Sequence, residues 1–185
     1  MGIQESLIPT HWNYFLSLED DIDRLSRFIE FTKKNFDCFS LELARVLLTA
    51  SSEVDVVAKQ YCKSLDAKSK AQSIGKYKIA ILEGNPGFPD TVIKMPRFGL
   101  TFTPWSSWNT EEVSPHWWQS NNKVKHQRHT HFDRANLKNT LNSVAGLFSL
   151  LIHYYKHQID TGQYIIDHKT FKHPELFHDG MYLFQ

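Results

Sequence analysis

The residues between Ser114 and Arg134 combine side-chain types that can carry out phosphate chemistry. This stretch of 21 residues holds two lysines, two arginines, four histidines and a pair of asparagines. Metal-independent cleavage of RNA needs a base for the ribose 2′-hydroxyl proton, cations for the phosphorane charge and an acid for the leaving oxygen. Imidazole, ammonium and guanidinium groups suit these roles. We therefore treat the stretch as the candidate functional site.

The spacing of these residues gives each one a candidate role. If the stretch is helical, Asn122 and His126 lie one turn apart on the same face. His126 is then the candidate general acid or base, and Asn122 orients it. The candidate phosphate or RNA contacts are Lys123, Lys125, Arg128 and His129. Ser114 is expected to cap this helix, with Pro115 at its first position.

Two other interpretations of the same residues stay open. In one, the polar side chains form a buried network that fixes helix register in a non-catalytic interaction protein. In the other, His126, His129 and His131 bind a metal, but no acidic or cysteine ligand lies in phase with them. The histidine pair His153 and His157 likewise lacks a third ligand nearby in sequence. We expect no metal and no cofactor.

The segment Asn121-Asn122-Lys123-Val124-Lys125-His126 resembles the motif R-N-x-x-x-H of the HEPN domains (higher eukaryotes and prokaryotes nucleotide-binding). Asn122 falls on the polar position of that motif and His126 falls on its histidine. The chain departs from the motif at Asn121, which stands where the family has arginine. Lys125 or Arg128 would then have to supply the missing cation.

The resemblance covers this motif and a coarse helical order over about residues 40–159. It implies a helical bundle, homodimerisation across a shared cleft, and metal-independent RNA cleavage in active members. It also implies a place in bacterial toxin–antitoxin or phage-defence systems, with an antitoxin-like protein partner. A relative without catalysis would bind RNA or a protein instead.

Several amphipathic segments surround the candidate site. Apolar residues recur every three or four positions over 10–36, 40–65, 69–82 and from 133–135 onward, which predicts helices. Ser40 is expected to cap the second of them. The last is apolar on nearly all sides and belongs in the middle of a bundle, and Gly146 on it allows a close approach by a neighbour. Residues 91–103 alternate around Pro96 and Gly99, as in a short irregular hairpin.

The fold class expected is therefore mainly all-α, an up-and-down bundle of four or five helices with a short β-like insertion. A chain of 185 residues with 41% hydrophobic content fits one domain, 1–185, with an insertion over about 84–113 and a tail over about 160–185. The formal charge is only +1, so attraction to nucleic acid must be local. The absence of a signal-peptide core and of a long apolar run predicts a cytoplasmic protein without a membrane span.

A few individual residues carry further expectations. Cys38 and Cys62 are predicted to be reduced and buried. Trp105 and Trp108 are expected to pack against the core, although tryptophans can also stack on bases. Glu53 lies in phase with an apolar stripe and needs either a cation or water. We expect it to pair with a cation or histidine of 114–134 and so to anchor the site, together with Asn121, or else to reach solvent.

Overall fold

The structure is a computed structural model that describes residues 9–162 and 170–172. A mainly α-helical fold is confirmed, with one two-stranded antiparallel sheet in the described residues. The elements in chain order are α1 Thr10–Leu25, α2 Leu41–Leu65, α3 Ile74–Gly84, β1 Ile93–Met95, β2 Leu100–Phe102, α4 His116–His131, α5 Leu137–Tyr154 and α6 Lys156–Asp160. None of the helices in these ranges is long and apolar enough to cross a membrane.

Helices α2 and α5 form the centre of the bundle. The prediction of a centrally placed last long helix is confirmed, because α5 is buried from Ser143 to Ile152. Each Å² of apolar surface that these side chains bury contributes about 25 cal/mol to the free energy of folding. The hydroxyl of Thr140 donates to the carbonyl of Leu43 at 3.1 Å and so ties the two helices together.

The helix boundaries agree with the capping chemistry in part. Ser40 caps α2 as predicted, because its Oγ accepts the backbone N–H of Leu43 at 3.1 Å. The prediction for Ser114 is wrong: the N-cap of α4 is Pro115, and no side chain caps this helix. Helix α5 begins later than expected, since Asn136 caps it and residues 132–134 form a short 3₁₀ turn.

The other boundaries differ by larger amounts. Helix α1 ends at Leu25, well before residue 36, and a 3₁₀ turn occupies Lys33–Asn35. Helix α3 begins at Ile74 rather than near residue 69. In both places apolar side chains of the flanking irregular chain pack on the core and continue the apolar spacing: Phe31 is buried after α1, and Ala71 is partly buried before α3.

The hairpin predicted over 91–103 is present and carries the two tryptophans that follow it into the core. Strands β1 and β2 pair antiparallel with Ile93 opposite Phe102. The turn between them needs Gly99, whose φ of 61° lies in the left-handed region. Trp105 and Trp108 are 0% and 2% exposed, which confirms core packing.

A buried carboxylate joins α1 to the segment 170–172. Glu19 is 1% exposed, and its Oε1 accepts the backbone N–H groups of Thr170 and Phe171 at 2.7 and 3.0 Å. Phe171 is fully buried against Phe15 and Phe148. This part of the tail therefore packs on the bundle, while the rest of the predicted tail, 163–169 and 173–185, lies outside the described residues.

The two cysteines differ in environment. Both are free thiols, but Cys38 is exposed and only Cys62 is buried, so the prediction of two buried thiols is wrong for Cys38. The reason is that Cys38 lies in an irregular link at the start of α2, where its carbonyl rather than its side chain contacts the bundle through the N–H of Leu137. Burial raises the pKa of the Cys62 thiol to about 11, which keeps it protonated and unreactive near neutral pH.

Gly146 on α5 lies directly against the indole ring of Trp117. A Cβ at position 146 would lie 2.9 Å from Cζ2 of Trp117. Because the ring is 3% exposed and has little room to move, Gly146→Ala should lower the free energy of unfolding by roughly 1–3 kcal/mol. Chemical denaturation of the purified variant measures this change.

The matched control is Gly87→Ala. The nearest atom to a Cβ there is 4.0 Å away, and the φ of −81° suits alanine, so this variant should be neutral or slightly more stable. Equal changes in the free energy of unfolding for the two variants would contradict the close packing of Trp117 against α5.

Candidate functional site

The buried side chains of helix α4 lie between Trp117 and Val124, and its later residues face solvent. Its buried residues are Trp117, Ser120, Asn121 and Val124. Trp117 also donates from Nε1 to the carbonyl of Pro104 at 2.8 Å. The helix therefore enters the core through its aromatic start and presents polar groups further along.

A kink at Gln127 divides the helix. The φ and ψ of Gln127 are −140° and 41°, which are not helical values. In an unbroken helix Arg128 would follow Trp117, Asn121 and Val124 along the buried face. After the kink it is exposed instead, so the break keeps a guanidinium group out of the interior, where it would be costly.

The second half of α4 forms one wall of a groove, which we call the α4 groove. It has a volume of about 720 Å³ and is lined by Leu41, Leu48, Val124, Lys125, His126, Arg128, His129 and Phe132. Its floor is fixed by a small apolar cluster in which Val124 packs with Ala44, Leu47 and Ala135. The groove thus has an apolar floor and a rim of cations and imidazoles.

Four of the predicted site residues are brought together in the groove. Lys125, His126, Arg128 and His129 are all exposed, and none of them forms an ion pair or side-chain hydrogen bond with another described residue. This exposure favours an external ligand over a buried internal network.

Asn122, Lys123 and Asn121 lie elsewhere on the helix. Asn122 and Lys123 are exposed but do not line the groove. Asn121 is 6% exposed and donates from Nδ2 to Oδ1 of Asn122 at 3.4 Å. The position at which the HEPN motif has arginine is therefore an inward one in this chain.

Glu53 does not anchor α4, and the prediction of its partner is wrong. Its Oε1 lies 2.6 Å from Nδ1 of His11 on α1, and the two side chains are 22% and 12% exposed for His11 and Glu53. The error arises because α2 is packed on several sides, and the side that carries Glu53 faces α1. Burial and, to a smaller extent, the Glu53 charge raise the pKa of Tyr14 nearby.

An apolar and aromatic surface adjoins the groove, and sequence reasoning did not identify it. Leu41 is 69% exposed and Phe39 is 49% exposed, and the Phe39 ring packs edge-on against Phe132 at 5.4 Å. The only feature of the sequence that could have indicated their exposure is that both residues flank the Ser40 cap, at the start of α2.

A larger cavity of about 940 Å³ lies where the ends of α2, α3 and α5 meet. Of the two histidines that line it, His153 has a tautomer defined by its hydrogen bonds. Thr91 Oγ1 donates to the carbonyl of Phe88 at 2.6 Å, so it accepts from Nε2–H of His153 at 2.9 Å. Nδ1 of His153 then accepts from Nδ2 of Asn85 at 3.1 Å. Both ring nitrogens serve internal contacts, which makes this histidine a structural group.

No group of three or more potential metal ligands of the His, Cys, Asp and Glu types occurs among residues 9–162 and 170–172. Searches against protein-family models, curated proteins and solved structures found no match to this chain.

The His11 and Glu53 contact can be tested by a double-mutant cycle with His11→Ala and Glu53→Ala. Because the pair is mostly buried, we expect a coupling free energy of unfolding of roughly 0.5–2 kcal/mol. Each single variant should be destabilised, since each leaves a partly buried polar group without its partner.

The control cycle combines His11→Ala with Glu83→Ala, whose side chain is exposed on α3. It should show additivity. A cycle in which Glu53→Ala couples to Lys125→Ala rather than to His11→Ala would restore the predicted anchoring role.

Proposed function

We propose that this protein is a HEPN-like RNA-binding protein that holds RNA in the α4 groove. The observation that carries the proposal is the set of Lys125, His126, Arg128 and His129 on one rim, without carboxylate partners in the described chain. Cations that face solvent without internal partners are available to phosphates, and phosphate contacts supply most of the affinity of proteins for nucleic acid.

The apolar side of the groove favours single-stranded RNA. Phe132, Leu41 and the adjoining Phe39 offer aromatic and aliphatic surface beside the cations. Unpaired bases can stack on such surface at about 1–3 kcal/mol per base, whereas a duplex hides the faces of its bases. The two kinds of surface together fit a strand whose backbone and bases are both accessible.

Metal-independent cleavage is the reaction that the two imidazoles support. His126 removes the proton of a 2′-hydroxyl, and the 2′-oxygen attacks the adjacent phosphorus. The bond from phosphorus to the 5′-oxygen breaks, His129 protonates that oxygen, and a 2′,3′-cyclic phosphate remains. Lys125 and Arg128 hold the phosphorane charge, and Arg128 takes the part of the arginine that Asn121 replaces. The predicted orientation of His126 by Asn122 is not part of this mechanism, because Asn122 does not line the groove and its side-chain oxygen accepts from Asn121 instead.

The wider setting follows from the resemblance. We propose a cytoplasmic protein that acts as a homodimer, pairs with an antitoxin-like partner and serves a bacterial toxin–antitoxin or phage-defence system. In a homodimer two α4 grooves would share one strand.

RNA binding can be tested with the double variant Lys125→Gln and Arg128→Gln. Binding of a fluorescent single-stranded RNA should weaken at least tenfold at low salt. The slope of log K against log salt should fall by about 0.7 for each phosphate contact removed. A duplex of the same sequence should bind more weakly than the single strand.

The control for binding is Lys68→Gln with Lys76→Gln, which removes two exposed charges away from the groove. An equal loss of affinity in this control would show that the groove is not the binding site. If the parent protein binds no RNA, the interpretation as a non-catalytic interaction protein takes its place.

Cleavage can be tested by incubating a single-stranded RNA with the protein in a metal chelator. The parent should yield products that end in a 2′,3′-cyclic phosphate, and His126→Ala should reduce the rate by roughly 10²–10⁴-fold, far more than it weakens RNA binding. His157→Ala, which alters an exposed histidine on α6, is the control.

Two outcomes would limit the enzymatic proposal. Binding without cleavage by the parent would leave an RNA-binding protein. A large loss of stability in His126→Ala would show that this exposed imidazole has a structural role.

A further inference from the structure

A small cleft lies on the other side of α4 from the groove. It has a volume of about 110 Å³ and is lined by His116, Gln119, Ser120, Lys123, His131 and Arg134. We call it the small cleft. It shares no lining residue with the α4 groove, so it is a separate site on the same helix.

The bend of the chain after His126 creates this cleft. In a straight helix His116 and His131 would be about 22 Å apart at 1.5 Å per residue. Here both line the same small cleft. The kink at Gln127 and the 3₁₀ turn Phe132–Arg134 return the end of the helix toward its start. Residues from both ends of the segment 116–134 thus line the same cleft.

The lining of the small cleft is suited to an anion. Lys123 and Arg134 carry positive charge, and His116 and His131 each provide a ring N–H donor in either charge state. The lining includes no carboxylate. Within residues 9–162 and 170–172, the ion pairs of the lining residues are limited to the exposed Asp133, whose Oδ2 lies 4.0 Å from Nε of Arg134. At that distance on the surface the pair contributes little.

The hydroxyl of Ser120 gives a further indication of a ligand. Ser120 is 3% exposed and lines the small cleft, and its hydroxyl forms no hydrogen bond with another described residue. This oxygen is not among the fully buried side-chain atoms, so it can be reached from the cleft. An oxyanion in the cleft would accept from this group.

We propose that the small cleft binds a phosphate dianion. Its volume of about 110 Å³ exceeds several times the roughly 30 Å³ share of one water molecule, which leaves room for an anion of the size of phosphate. A phosphate monoester fits this space with three free oxygens and a charge of about −1.5 to −2 at pH 7. An internal phosphodiester has two bulky substituents and a single charge, so it fits the cleft less well.

Two sources supply such a group: a free phosphate compound and the terminal phosphate of an RNA strand. The second source rests on the proposed function, because the same strand would lie in the α4 groove. It predicts that the protein distinguishes strand ends. The first source is independent of RNA binding, so the two can be tested separately.

The first experiment measures thermal unfolding with increasing inorganic phosphate at constant ionic strength, with chloride as the reference anion. Phosphate should raise the melting temperature of the parent in a saturable way. Lys123→Gln with Arg134→Gln, and separately Ser120→Ala, should reduce that rise at least severalfold. Lys68→Gln with Lys76→Gln should retain it. Equal rises in all four proteins would overturn the site.

The second experiment compares fluorescent single-stranded RNAs that carry a 5′-phosphate, a 3′-phosphate or hydroxyls at both ends. The parent should bind one of the phosphorylated strands at least tenfold more tightly than the strand with hydroxyl ends, and Lys123→Gln with Arg134→Gln should abolish that preference. Equal binding of all three strands, with the phosphate effect on melting intact, overturns the RNA end as the source and leaves a free phosphate compound.

The groove variant Lys125→Gln with Arg128→Gln separates the two proposals. It should weaken all three RNAs alike and leave the effect of inorganic phosphate on melting unchanged. If the parent binds no RNA at all while phosphate still stabilises it through Lys123 and Arg134, the proposed function fails and the phosphate site remains. If the groove variant removes the phosphate effect, the small cleft is not a separate site.

Discussion

The position of α4 depends on the close packing of the Trp117 ring against Gly146. Helix α4 buries few side chains, and two of its four buried residues, Ser120 and Asn121, are polar. Apolar burial along its length therefore fixes it only weakly. The indole compensates, because it packs against the bare backbone at Gly146 and donates to the carbonyl of Pro104. Trp105 donates to the carbonyl of Gly146 itself, so the same glycine joins the segment after the hairpin to the core.

Helix α4 is fixed at its start by Trp117, and its end bends at Gln127. The bend determines which side chains are exposed to solvent. The kink at Gln127 occurs where a continued helix would direct Arg128 into the interior. No proline or glycine lies within His116–His131 to cause it; the cost of an unpaired buried guanidinium accounts for its direction. As a result one short helix serves two surfaces, the α4 groove on one side and the small cleft on the other.

Much of the fold followed from apolar spacing and local chemistry. The central helix α5, the cap at Ser40 and the hairpin around Gly99 were all predictable, because each depends on residues within a few positions of one another. The end of α1 and the start of α3 were not, since Phe31 and Ala71 in the flanking irregular chain also pack against the core. The site was predictable as a set of residue types. Its division into the α4 groove and the small cleft was not predictable, because the kink changes the helical phase after His126. The partner of Glu53 and the inward position of Asn121 were not predictable either, because spacing along one helix does not show them.

The availability of the α4 cations is a consequence of where the acidic residues of the chain are used. Asp21 and Asp23 pair with Arg45 and Arg97, and Asp55 contacts both Lys59 and Tyr77.

Glu19 is satisfied by backbone N–H groups, and Glu53 is paired with His11. Helix α4 itself contains no acidic residue. At physiological ionic strength the Debye length is about 8 Å, so a formal charge of +1 for the whole chain says little about the field at any one surface. That field is set by the neighbours within reach, and the polar side chains of α4 itself are cations, imidazoles, amides and hydroxyls, with the exposed Asp133 just beyond its end. A nearly neutral protein can thus present a locally positive helix, provided that its carboxylates are committed elsewhere by the fold.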